Sequence, residues 1–217
     1  MPARRPPAGW QFTGAASLAR EVTARIFGPP LGWLLHGPAV VGAEHLDELV
    51  EPVIVCPTHA SHLDSSALRL ALGPRHRRHL APAVAADYFT VSRRRWFFAA
   101  WLGSFPFNRS GRGGAESFVT AERLLAAGWS VLIYPEGTRS QTGQLGPFHP
   151  GAGLLAVRTG RQVLPVRIRG TAAALPKGRR IPRRSRVVVR FGTPLLARPG
   201  EEARAFTGRL EAVIREL

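Results

Sequence analysis

Short apolar runs rich in β-branched residues alternate along this chain with segments whose apolar residues return at helical spacing. The runs are VEPVIVC, HLAPAVAAD, SFPFNR, SVLIYPEG, QVLPVRIRG and SRVVVRFG, with a further short strand expected near Val40. Runs of strand length that are apolar throughout fit strands buried on both faces. The segments between them, SSALRLAL, SRRRWFFAAWLG, AESFVTAERLLAAG and GAGLLAVRTG, read as covering helices, and EEARAFTGRLEAVIREL closes the chain with another. This alternation predicts an α/β fold with a largely parallel central sheet flanked by helices. Ahead of the sheet, AASLAREVTARIFG carries Leu18, Val22, Ile26 and Phe27 near helical spacing, an N-terminal amphipathic helical segment. GPPLGWLLHGPAVVG then breaks with Gly and Pro too often to continue that helix, and reads as a bend. We expect residues 1–14 to be a disordered basic tail and 15–217 a single domain, since 217 residues with 45% hydrophobic content suit one core.

Composition narrows the partners. The formal charge is +16, and Lys177 is the only lysine among 30 Lys and Arg residues. Part of the arginine preference is what a GC-rich genome would write, but the shortage of acidic residues points to anionic partners: nucleic acid, an anionic membrane surface, or phosphate-bearing small molecules. Nucleic acid is disfavoured, because no zinc spacing, RNA-binding fingerprint or recognition helix accompanies the charge. The lone cysteine, Cys56, rules out an internal disulfide and a multi-thiolate metal site. No apolar run reaches the roughly 18 to 20 residues needed to span a bilayer, and MPARRPPAGWQF lacks the apolar stretch of a signal peptide. The expected location is cytoplasmic, either free or on the cytoplasmic face of the membrane.

The polar motifs follow the apolar strands. His59 and Asp64 come after VIVC, Arg109 after FPFN, Glu136 after VLIYP and Gly170 after PVRIR. Open α/β sheets bind ligands beyond the carboxyl ends of their strands, so separate segments direct polar groups toward one edge. Five residues along a helix rotate a side chain by about 140°, so His59 and Asp64 cannot share a helical face. They can meet if His59 lies in a loop and Asp64 on the first turn of a helix capped by Ser61. A carboxylate on one imidazole nitrogen would leave the other as a base. There is no G-x-S-x-G elbow and Cys56 falls within a buried strand, so the nucleophile would belong to the substrate. His59, His62 and Asp64 also resemble a compact metal cluster, but no further ligand set accompanies them. We expect neither metal nor cofactor, and read His62 as a solvent-facing or capping residue. In IYPEGTRS, Glu136, Gly137, Thr138 and Arg139 form a turn suited to an anion, with Glu136 to Arg139 pairing as the structural alternative. Arg109 and Arg139, from separate strand ends, could clamp one phosphate.

His59-Ala-Ser-His-Leu-Asp64, Gly103-Ser-Phe-Pro-Phe-Asn-Arg109, Tyr134-Pro-Glu-Gly-Thr-Arg-Ser140 and Val163-Leu-Pro-Val-Arg-Ile-Arg-Gly170 resemble, in order and spacing, the four signature blocks of the glycerolipid acyltransferases, with the bacterial 1-acylglycerol-3-phosphate O-acyltransferases as the most similar group. The resemblance covers roughly residues 40–195. It implies acyl transfer from acyl-CoA or acyl-carrier protein to the free hydroxyl of a lysophospholipid. It further implies His59 as base, Asp64 as its orienter, Arg109, Glu136, Gly137, Thr138 and Arg139 around the acceptor phosphate, and Pro165 in the fourth block. Two positions depart from the family pattern: Thr58 stands where Asn usually precedes the His, and His149 where a Lys usually follows Phe. The second bears on which acceptor is used.

Arg93, Arg94 and Arg95, followed by Trp96 and Trp101, fit either a buried helix with a solvated basic end or an interfacial helix on anionic lipid. PKGRRIPRRSR adds a second basic loop. The alternative to an enzyme is a non-catalytic basic peripheral protein, binding anionic lipid or nucleic acid, which would tolerate loss of His59.

Overall fold

The computed structural model describes residues 9–90, 92–108, 111–140, 144–176, 179 and 181–217. The strands are β1 (Ala39–Val41), β2 (Ile54–Pro57), β3 (Leu80–Ala85), β4 (Phe105–Phe107), β5 (Ser130–Leu132), β6 (Val163–Arg169) and β7 (Val188–Phe191). The helices are α1 (Gly14–Leu34), α2 (Asp64–Arg77), α3 (Ala86–Thr90), α4 (Arg93–Trp101), α5 (Gly111–Ala126), α6 (Gly151–Thr159), α7 (Thr171–Ala174) and α8 (Ala203–Glu216). The strands form one sheet in the order β1-β7-β6-β2-β5-β3-β4, parallel at every pairing except β6 with β7.

β2 lies at the centre and explains why its sequence is apolar without alternation. Ile54 and Cys56 join one core with Val131, Val163, Leu124, Leu155, Phe206 and Leu210. Val53 and Val55 face the other, with Leu68, Leu132, Leu164 and Val166. Successive side chains of a strand point to opposite faces, and here both faces are covered. Each fully buried Leu or Phe in these layers contributes on the order of 1.5 to 3 kcal/mol.

The N-terminus departs from the sequence reading. Of the tail expected over residues 1–14, residues 1–8 lie outside the described residues, and the rest is ordered: Trp10–Phe12 form a 3-10 turn, Phe12 is buried in the core, and the Thr13 hydroxyl caps α1 by accepting from Ala16 N. The helix also runs on through Pro29 and Pro30 instead of bending there. Its last turns are held by Leu31, Leu34 and Leu35 on the core, and that burial outweighs the missing proline N–H groups.

More consequential is the face α1 buries. Leu18, Val22, Ile26 and Phe27 are 55%, 51%, 62% and 63% exposed, whereas Ala16, Ser17, Arg20 and Glu21 are buried. Glu21 takes both arms of Arg77, at 2.6 and 2.9 Å, and the Arg20 guanidinium donates to the Gln11 carbonyl and the Ser17 hydroxyl. Satisfied polar groups turn inward and the apolar stripe turns out.

Two short helices, α3 and α7, were not foreseen. Neither is long enough to show helical periodicity.

Candidate active site

The site stands at the carboxyl ends of β2, β5 and β6, three neighbouring strands. After β2, Thr58 continues the pairing with β6: its N–H donates to Val166 O, and its hydroxyl accepts from Ile168 N at 2.9 Å and donates to Ile168 O at 3.3 Å. A hydroxyl that both accepts and donates does here what an amide side chain could also do, so the Thr at this position keeps the strand end in register.

The chain then folds into a turn around the Asp64 carboxylate. Asp64 is fully buried, and its Oδ2 accepts from Ala60 N at 2.7 Å, Ser61 N at 2.8 Å and His59 Nδ1 at 2.9 Å. The five-residue spacing follows from this: an aspartate at the head of a helix gathers the amides of the preceding turn, and the imidazole at the other end of that turn reaches the same oxygen. The carboxylate is an acceptor only, so Nδ1 carries the proton, and in the neutral imidazole Nε2 presents a lone pair. The expected Ser61 cap is not formed; α2 begins at Asp64, and the Ser61 hydroxyl donates to Leu175 O at 2.9 Å and accepts from Leu63 N. His62 is exposed on the same turn.

Two further contacts fix the imidazole. Tyr134 stacks on it, with centroids 3.8 Å apart and planes 18° off parallel, and the Tyr134 hydroxyl shares a 2.6 Å hydrogen bond with Ser65. Burial, and then the nearby Asp64 charge, push the Tyr134 phenol far above its ordinary range, so it remains protonated. The Glu136 carboxylate, buried, accepts His59 N at 2.7 Å through Oε1 and Gly146 N at 3.0 Å through Oε2. It therefore braces the main chain at His59 instead of pairing with Arg139 or turning its charge toward an anion. The turn after Pro135 is closed by Gly137 N on Tyr134 O, with Gly137 at φ 66°, where glycine is favoured. Thr138 is exposed, and Arg139 is half-exposed with no hydrogen bond or ion pair among the described residues.

Of the residues singled out from sequence, His59, Asp64 and Glu136 are brought into direct contact, with Gly137, Thr138 and Arg139 on the adjoining turn. Arg109 lies outside the described residues, as do the side chains of Arg93, Arg94 and Arg95. Pro165 is buried inside β6, opposite Cys56, and its carbonyl accepts from Gly192 N, so it supports the sheet beneath the site. Trp96 is exposed, while Trp101 is half-buried against Phe97 and Trp10, so the two do not share one environment. His149 is exposed, its N–H donating to Pro135 O. Sequence reasoning missed Tyr134, which stood in a quoted block without a role, and Thr171, whose hydroxyl donates to Asp64 Oδ1.

Comparison with known proteins bears on the family and the fold. The family model described as Acyltransferase matches residues 38–169. A chloroplast 1-acyl-sn-glycerol-3-phosphate acyltransferase of Brassica napus is 31% identical over 140 residues, covering 64% of this chain and 39% of the relative. The 1-acyl-sn-glycerol-3-phosphate acyltransferase alpha of Mus musculus is 31% identical over 134 residues, covering 58% and 43%. The chain thus spans about two fifths of the length of the curated relatives it matches. Among solved structures, the 1-acyl-sn-glycerophosphate acyltransferase PlsC of Thermotoga maritima superposes with a TM-score of 0.67 over 94% of this chain and 86% of that one, at 22% identity, a likeness of fold.

Proposed function

This chain belongs to the acyltransferase family, and from that premise we propose that it transfers a fatty acyl chain from acyl-CoA or acyl-carrier protein to the free hydroxyl of a lysophospholipid, first of all 1-acylglycerol 3-phosphate, giving phosphatidic acid. The observation that carries this reading is a histidine held at Nδ1 by a buried carboxylate, with Nε2 unpartnered among the described residues. Nε2 takes the proton of the acceptor hydroxyl as its oxygen attacks the thioester carbonyl carbon. The carbon–sulfur bond breaks, and the departing thiolate takes that proton back from the imidazolium. Asp64 stabilises the imidazolium between the two steps. Cys56 does not compete as nucleophile, since it is fully buried in β2 and burial pushes its thiol well up. Arg139, uncommitted on the Gly137 turn, and Arg109 are the cations for the acceptor phosphate, with the Thr138 hydroxyl as a further donor and Gly137 shaping the turn that presents them.

Lipid substrates favour a surface-bound enzyme. No helix among the described residues is long and apolar enough to cross a membrane. The outward stripe of α1, with exposed Trp33, Trp96 and Phe97, instead supports an interfacial contact on an anionic bilayer, at its cytoplasmic side, for a chain of charge +16. Trp10, just ahead of α1, stacks on Phe97 at 6.0 Å, and one cavity is lined by both Phe27 and Trp101, so α1 and α4 lie side by side.

The test is release of free thiol from acyl-CoA by purified protein across a panel of lysophospholipids, with His59→Ala beside the wild type. Thiol release that depends on a lysophospholipid and is lost in His59→Ala is expected. Lipid binding without turnover, unchanged in His59→Ala, would identify a non-catalytic peripheral protein.

A further inference from the structure

Oδ2 of Asp64 carries its contacts to His59, Ala60 and Ser61, while Oδ1 has a single donor among the described residues, the Thr171 hydroxyl at 2.5 Å. Thr171 is fully buried, and it lies two residues beyond the stretch that matches the family model. Its position is closely constrained. Gly170, at φ 93°, ends β6, and a Cβ there would sit 2.0 Å from the Arg186 carbonyl oxygen, so the turn that delivers Thr171 beneath Asp64 requires glycine. One turn of α7 follows, closed by Leu175 N on Thr171 O, and the Ser61 hydroxyl holds Leu175 O from the other side. The segment after β6 is therefore tied at two points to the turn that carries His59 and Asp64.

We infer that Thr171 is a positioning residue for the acyl transfer proposed above: its hydroxyl holds Oδ1 of Asp64 so that Oδ2 stays on Nδ1 of His59. The physical reason is rotational. A carboxylate gripped through one oxygen can swing about its Cβ–Cγ bond, and a buried Oδ1 without a donor would be driven to find one. Any swing lengthens or misaligns the contact that fixes the imidazole ring. Two other groups hold His59: Tyr134, which covers one face of its ring, and Glu136, which holds its main chain. Neither reaches Oδ1, so neither substitutes for Thr171.

The inference rests on the acyl-transfer reading for its catalytic half only, and the experiment separates the two. Thr171→Val keeps shape and removes the donor, Thr171→Ser keeps the donor, and Thr171→Ala serves if the valine variant does not fold. The first readout is the proton resonance of His59 Nδ1, identified by its loss in His59→Ala, which needs no substrate. The second is kcat and KM for acyl transfer to 1-acylglycerol 3-phosphate, with thermal melting as the check on folding. Expected are a shifted or broadened resonance and a kcat lowered by about 10- to 100-fold in Thr171→Val, the effect of one lost hydrogen bond to a charged group. KM should change by less than about threefold, and Thr171→Ser should recover both signals. A folded valine or alanine variant with an unchanged resonance overturns the inference, as does a serine variant that behaves like valine. If the wild type transfers no acyl group while the resonance responds as expected, the substrate reading fails and the Thr171 contact stands.

Discussion

Glu136→Gln separates a carboxylate that braces the main chain from one that meets substrate. The glutamine keeps the length of the side chain but must turn its amide nitrogen toward one of two N–H groups, His59 N or Gly146 N, which now sit 2.7 and 3.0 Å from carboxylate oxygens. One hydrogen bond to a charged acceptor is lost, and the other falls to the strength of a neutral one. With about 1.5 to 3 kcal/mol for the first and about 0.5 to 1 for the second, the cost is roughly 2 to 4 kcal/mol. A domain of this size loses about 2 to 4 °C of Tm per kcal/mol, so a drop of roughly 5 to 15 °C is expected by calorimetry or dye-monitored melting. Turnover should fall as well, because the peptide that carries His59 is no longer held. If Glu136 instead served the acceptor directly, the variant would melt like the wild type and change mainly KM for the lysophospholipid. A melting temperature within about 1 °C of wild type would refute the bracing role.

Three other outcomes follow from the same geometry. Arg77, chiefly by hydrogen bonding and also by its charge, holds the Glu21 carboxyl below its ordinary value, so the pair contributes stability above the unfolded carboxyl range, and that stability is lost as pH falls through the lowered folded value. Glu21→Gln should therefore cost about 3 to 5 kcal/mol at neutral pH by chemical denaturation, as expected when one partner of a buried pair is removed, and should flatten the loss of stability below pH about 4.5. Cys56, buried and with its thiol pushed up, should resist a thiol reagent at pH 8 in the native protein and react at once in denaturant; because only the unfolded thiol ionises near its ordinary range, stability should fall as pH rises above about 8.5, seen in melting curves from pH 7 to 10. On anionic vesicles, replacing Arg93, Arg94 and Arg95 with Gln should weaken binding and reduce its salt sensitivity, at about 1 kcal/mol per arginine, and Trp96→Ala should weaken binding at every salt concentration, whereas half-buried Trp101→Ala should chiefly lower Tm; equal cosedimentation of the wild type with neutral and anionic vesicles would count against the electrostatic contribution.

Local sequence determined the sheet and the contact between His59 and Asp64. Short β-branched runs apolar on both faces fit strands covered on both sides, and β2, with Ile54 and Cys56 in one core and Val55, beside Val53 just ahead of the strand, in the other, is such a strand. The spacing of His59 and Asp64 likewise contained their contact, because the amides that the carboxylate gathers lie within the same turn. Contacts across long stretches of chain were not readable in this way. Thr171 is 107 positions from Asp64 and Glu136 is 77 from His59, and only the order of strands β6-β2-β5 makes them neighbours. The orientation of α1 was also a tertiary decision. Periodicity marks an apolar face, but which face is buried depends on what lies opposite, and here Arg77 waits for Glu21, the Gln11 carbonyl for Arg20, and the stripe from Leu18 to Phe27 is left outside because burying a charge without its partner would cost more than exposing those side chains.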